Sequence, residues 1–183
     1  MNIAANQTAL EAASTDTFRV HYWELSHYNN GQLVGKWFDL DDKTEEEHDL
    51  ERQEWLDTLT AESGELCEEW IIGDTDDIPS HYVGTWDIDG DFFELMELAS
   101  ASYLDLEVFL IGASLGIDVG RIEDAYSGHY RSATELAYDY VDSTGMLSDV
   151  PESIQNYFDF EAFGRDLAMD FLEEDGHYFN ANL

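Results

Sequence analysis

A chain of 183 residues with 42 Asp plus Glu against 7 Lys plus Arg carries a formal net charge of −35. Such a balance usually accompanies disorder, but 44% hydrophobic and 14% aromatic residues exclude that reading, because disordered chains lack the apolar surface that offsets the entropy of ordering. The same charge excludes a nucleic-acid partner, whose phosphates would repel it.

In chain order, residues 1–16 are small and polar and read as a flexible tail, without the basic start of a signal peptide. Residues 18–25 alternate as a strand, Asn29-Asn30-Gly31 marks a tight hairpin turn, and residues 35–40 form the returning strand. A helix follows over 45–62 with Trp55, Leu56 and Leu59 inward, then a third strand over 68–72 and a loop over 74–79. Residues 87–117 predict two helices, one with Phe92, Phe93, Leu95, Met96 and Ala99 at helical spacing, one with Leu104, Val108, Leu110, Ile111 and Leu115. Ser132-x-x-Glu135 is a capping box; Ala133, Leu136, Ala137, Tyr140 and Val141 give the inner face of its helix, and Gly145 ends it. Pro151 stands near the start of a short helix, Phe160, Phe163, Leu167 and Phe171 stripe another, and residues 177–179 read as a closing strand. The fold class expected is α+β, an elongated chain of three small units: an α/β N-terminal domain (17–80), a helical middle domain (81–120) and an α/β C-terminal domain (121–183).

Few motifs suggest chemistry. Gly112-Ala113-Ser114-Leu115-Gly116 fits a nucleophile elbow, but that turn needs a strand before it and a large parallel sheet around it. The flanks read as helix, so the small residues are better explained by close packing. Asp87-x-Asp89-Gly90-Asp91 and Asp74-x-Asp76-Asp77 look like calcium loops yet miss the required ligand register. The six histidines have no zinc spacing, and one cysteine, Cys67, allows no internal disulfide and fits a reducing, cytoplasmic compartment. No apolar run reaches the ~20 residues of a membrane span. Neither a cofactor, a metal nor an enzymatic activity is expected.

The charge itself needs explaining, since about 2–8 net charges suffice for solubility. A basic partner and life in concentrated salt explain it equally well from charge alone. If a partner is the reason, duplex DNA is the natural template. At one charge per ~1.7 Å, 42 carboxylates match about 21 base pairs, or roughly 70 Å of axis, far longer than a compact globule of ~16 Å radius of gyration. The surface would be distributed over Glu47, Glu51, Glu54 and Asp57 at helical spacing, Asp74, Asp76 and Asp77, Glu135, Asp139 and Asp142, and Asp166 and Asp170.

Several stretches break the tie. His27-Tyr28-Asn29-Asn30-Gly31-Gln32-Leu33-Val34-Gly35-Lys36-Trp37-Phe38-Asp39-Leu40 is similar to the N-terminal signature of the ArdA antirestriction family. Residues 145–159, GMLSDVPESIQNYFD, resemble that family's antirestriction motif, and Phe160-Glu161-Ala162-Phe163-Gly164-Arg165-Asp166-Leu167 continues the likeness. Glu123-Asp124-Ala125-Tyr126-x-Gly128 is a weaker match. The resemblance covers residues 18–40 and 121–179 and leaves the middle unmatched. It implies a DNA mimic from a mobile, conjugative element that inhibits type I restriction-modification enzymes by occupying the DNA groove of their methyltransferase core. It implies an elongated three-domain protein, a homodimer through its C-terminal domain. Val150, Pro151, Ile154, Tyr157 and Phe158 then serve packing or the dimer contact, with plain domain core as the other reading. The alternatives are an acidic decoy for another basic DNA-binding protein and a salt-adapted protein.

Overall fold

The computed structural model describes residues 17–182; the tail expected over residues 1–16 lies outside the described residues. Contacts group the chain into two compact units that divide between Glu94 and Leu95. Helices and small antiparallel sheets coexist in both, so the fold is α+β.

In the first unit, β1 (Arg19–Glu24) is the centre of a three-stranded antiparallel sheet, flanked by β2 (Gly35–Asp39) and β3 (Trp70–Asp76). Its alternation puts Val20, Tyr22 and Glu24 on the buried face, as period-2 side chains require. The strands expected at 18–25 and 35–40 are present and pair with Val20 opposite Phe38. Their connection differs from the expected tight turn. A short helix, α1 (Leu25–Asn29), intervenes, because the buried Glu24 carboxylate accepts the His27 N–H and so caps a helical turn. Gly31, at φ 77°, then leads the chain away. The expected loop at 74–79 is also corrected. β3 runs to Asp76, since Thr75 and Asp76 pair with Val20 and Arg19, and the turn begins only at Asp77.

The helix α2 (Glu45–Ser63) lays His48, Arg52 and Leu56 against this sheet. Thr44 and Glu47 form a reciprocal capping box at its start, and Gly64 in the left-handed region ends it. Tyr22, Phe38, Leu40, Leu56 and Phe92 form the buried core. Phe92 and Phe93 come from the start of α3 (Gly90–Ala101), where Phe92 meets Phe18 edge-on.

The second unit contains α4 (Leu106–Ser114), α5 (Ile122–Ala125), β4 (Tyr126–His129), α6 (Ala133–Thr144), α7 (Glu152–Gln155), α8 (Phe160–Leu167), β5 (Phe171–Glu174) and β6 (His177–Asn180). The three strands form an antiparallel sheet in the order β4-β6-β5. Leu95, Phe109, Ile122, Ala125, Leu136, Ala137 and Phe179 are its most buried apolar residues. Ser132 accepts the Glu135 N–H as expected of a cap, while the Glu135 carboxylate reaches back to Arg131 N–H rather than to Ser132. Phe171 does not continue the α8 stripe. It opens β5, which exists because Asp175 and Gly176, both at positive φ, turn the chain into β6. Gly164 on α8 is buried against the Ala133 backbone, where a Cβ would collide with a carbonyl group, so α6 and α8 pack at close range.

Candidate functional site

Each of the expected carboxylates belongs to a regular element or its edge, but they are not equivalent. Glu47 lies exposed on the first turn of α2, and its carboxylate accepts Thr44 N–H at 2.9 Å; that backbone bond holds its pKa below the usual carboxylate range. Glu51 pairs with Lys43, whose hydrogen bond lowers its pKa too. Asp57 accepts an amide N–H from Gln53, and Asp76 pairs with Arg19. In the second unit the Glu135 carboxylate accepts the Arg131 N–H just ahead of α6, and Asp139 accepts the Tyr130 hydroxyl at 2.8 Å. Burial, and then that bond, push the Tyr130 phenol up to about 12. Glu54, Asp77, Asp142, Asp166 and Asp170 are exposed and carry no side-chain partner among the described residues.

Few cations soften this surface. One of the seven, Arg52, is withdrawn from it. Its guanidinium is 7% exposed, bonds Asp49 at 2.6 Å and Asp87 at 2.9 Å, and lies 4.1 Å from the Trp70 ring centroid. Beside it His48 is buried, with Nε2 3.0 Å from the Tyr22 hydroxyl and Nδ1 without a partner among the described residues. Burial, together with the Arg52 and Lys43 charges, lowers the His48 pKa to about 4, so the ring is neutral near pH 7. Burial pushes the Tyr22 phenol up to about 12. Sequence patterning overlooked these residues because they are polar; the i, i+4, i+8 spacing of His48, Arg52 and Leu56 is the signal that marks them as one inner face.

The 145–159 segment is a surface feature. Val150 and Phe158 are half-buried, whereas Pro151 is exposed, Ile154 is 57% exposed and Tyr157 86%. The reading of all five as plain core is therefore corrected: the short α7 turns Ile154 and Tyr157 outward. Gln155 fixes this loop by donating its amide N–H groups to the Leu147 and Val150 carbonyls. Behind it, a recess of about 950 Å³ runs between α6 and the loop, with Tyr138, Asp139, Asn156 and Phe160 in its wall. Tyr138 and Phe160 stack there at 3.9 Å.

The motifs with possible chemistry take structural roles. Ser114 ends α4, its hydroxyl bonded to the Ile111 carbonyl and Glu174; Gly112 meets Ile122 so closely that a Cβ would stand 2.9 Å from it. Asp87 pairs with Arg52, and Asp89 accepts the Asp91 N–H at the start of α3. The fold does gather Glu24, His27 and Cys67, with ligand atoms within 4.8 Å of one another, which sequence spacing did not suggest. Glu24 Oε2 lies 2.6 Å from His27 Nδ1, closer than the about 3.3 Å between two ligands of a tetrahedral zinc ion. Burial raises the Glu24 pKa, but bonds from His27 and Ser26 outweigh it and leave it lowered, as befits an ionised helix cap. No helix among the described residues is long and apolar enough to cross a membrane.

A family model described as "Antirestriction protein (ArdA)" matches residues 23–179. The chain belongs to the ArdA family. The match runs through the middle of the chain, which the sequence motifs had left uncovered, and includes both the 27–40 hairpin and the 145–159 motif. Membership assigns the chain to a family of antirestriction proteins. No curated protein matches the chain significantly.

Proposed function

We propose that this ArdA-family protein is a DNA mimic that occupies the DNA-binding groove of type I restriction-modification enzymes, with its carboxylate surface standing in for phosphates. The observation that carries this reading is the disposition of charge. Carboxylates project from α2, β3, α6 and α8, while Arg52 is folded inward and few other cations face solvent. Carboxylates on a fixed scaffold read no base code, so inhibition should not depend on the enzyme's recognition sequence. A type I restriction assay with DNA concentration varied tests it: inhibition should be competitive with DNA and weaken as salt screens the charges. Inhibition indifferent to both DNA and salt would refute it.

The exposed side chains of the 145–159 motif support a homodimer contact within the same reading. Tyr157→Asp is expected to yield a folded monomer in sedimentation analysis; an unchanged mass would exclude this contact.

A further inference from the structure

We propose that the cleft between Trp70 and Trp86 is a receptor for an arginine side chain of the partner protein. The inference rests on the DNA-mimic reading and names one contact within it. The cleft measures about 250 Å³ and is lined by Leu25, Glu68, Glu69, Trp70 and Trp86. That is below the roughly 300–1,000 Å³ of small-molecule sites, and suits a single side chain. Trp86 keeps 49% of its surface exposed, and its backbone carbonyl accepts the Trp70 indole N–H at 2.7 Å, which fixes the two residues relative to each other.

The lining matches one chemistry. Indoles are the best aromatic partners for cations, and a guanidinium is planar and weakly hydrated, so it stacks where an ammonium would not. Glu68 and Glu69 are exposed at the rim with no cationic partner among the described residues. They supply the acceptors a guanidinium needs around its edge. Trp70 already has this type of contact on its inner side, where the buried Arg52 covers the ring. The cleft offers the same ring to a second guanidinium from solvent. Arginines that line DNA grooves are placed to meet phosphates; here one would meet two carboxylates and gain a stacking surface that DNA backbone lacks. Tryptophan and arginine are also the residues in which interface energy concentrates.

Two measurements on the full-length protein test the proposal. In the first, the indole N–H resonances are followed by NMR during titration with N-acetyl-arginine amide, and in parallel with N-acetyl-lysine amide. The Trp70 and Trp86 signals, assigned with Trp86→Phe, should move with the arginine probe and much less with the lysine probe. In the second, restriction inhibition is compared across variants. Trp86→Ala should raise the half-inhibitory concentration about tenfold, Trp86→Phe should recover most of it, and Glu68→Gln/Glu69→Gln should exceed the effect of Glu46→Gln/Glu62→Gln, which removes the same charge elsewhere. Unmoved indole signals, or Trp86→Ala inhibiting as well as wild type with its fold intact, would overturn the cleft and leave the mimic standing. A wild-type protein that fails to inhibit would overturn the mimic, while arginine-specific indole shifts would still support the cleft.

Discussion

The two units support acidic surfaces by opposite means. The first keeps three of its four cations inside or half-buried, Arg52 beneath Trp70, Arg19 on Asp76 and Lys43 on Glu51, and leaves only Lys36 exposed. Its core rings Tyr22, Phe38 and Phe92 are almost fully buried, while Tyr28, Trp37 and Trp86 stay exposed at its surface. In the second, Arg121, Arg131 and Arg165 are all exposed, and the one described ion pair, Arg165 with Glu161, spans 3.7 Å in open solvent. Aromatic residues there reach the surface, with Tyr138 stacked on Phe160 and Tyr157 outward. Exposed pairs contribute about 0–1 kcal/mol, so the second unit relies on caps and close packing to hold like charges together. A dense negative shell can thus rest on an internal counter-charge or on backbone geometry.

The largest expected effect separates the two cores. Phe38→Ala should cost about 3–5 kcal/mol, because it opens a cavity against Tyr22, His48 and Trp55. Tyr138→Ala, at a half-exposed stack, should cost about 0.5–1.5 kcal/mol. Equal losses in urea unfolding would erase the distinction.

Acid should find the first unit next. The folded His48 pKa of about 4 lies below the ordinary histidine value of about 6.5, so the unfolded chain binds this proton first as pH falls. The stability is complete above about pH 6.5 and is lost progressively toward pH 4, by up to about 3 kcal/mol. Unfolding free energy measured across that window should slope in the wild type and flatten in His48→Gln; identical slopes would remove His48 from the account.

For the second unit, Gly164→Ala should destabilise by about 1–3 kcal/mol, although alanine favours helix, because the methyl group meets the Ala133 carbonyl. A gain in thermal stability would show that α6 and α8 have room to separate. The smallest effect is expected at the surface. Asp142→Asn should change unfolding within about 0.5 kcal/mol and inhibition hardly at all, since the charge is shared among many groups. Abolished inhibition would point to a local site instead.

The sequence was most legible where apolar periodicity and caps coincide. α2, α6 and the β1–β2 pair follow from Leu56, from Ser132 with Gly145, and from the alternation at 18–25. The β5–β6 hairpin was legible as well, in Asp175-Gly176, but a phenylalanine stripe at helical spacing concealed it by drawing Phe171 into α8. Polar interiors were not legible. Nothing in a carboxylate or guanidinium states whether it faces water, so Glu24, His48 and Arg52 became visible only once their partners were in place. For the same reason the candidate surface could be named by residue type but not ranked: a capping Glu47 and an unpartnered Glu54 look alike in sequence.

That difference affects the entropy of recognition. Ordering a long side chain on binding costs about 0.5–1.5 kcal/mol. Glu47, Glu135 and Asp139 are already oriented by the backbone amides and the tyrosine hydroxyl they accept from. A groove that captures them meets charges set in advance, like phosphates on a stiff duplex, while Glu54 and Asp142 must still be stilled. The caps that end the helices therefore also decide which parts of the surface are rigid enough to resemble a polymer.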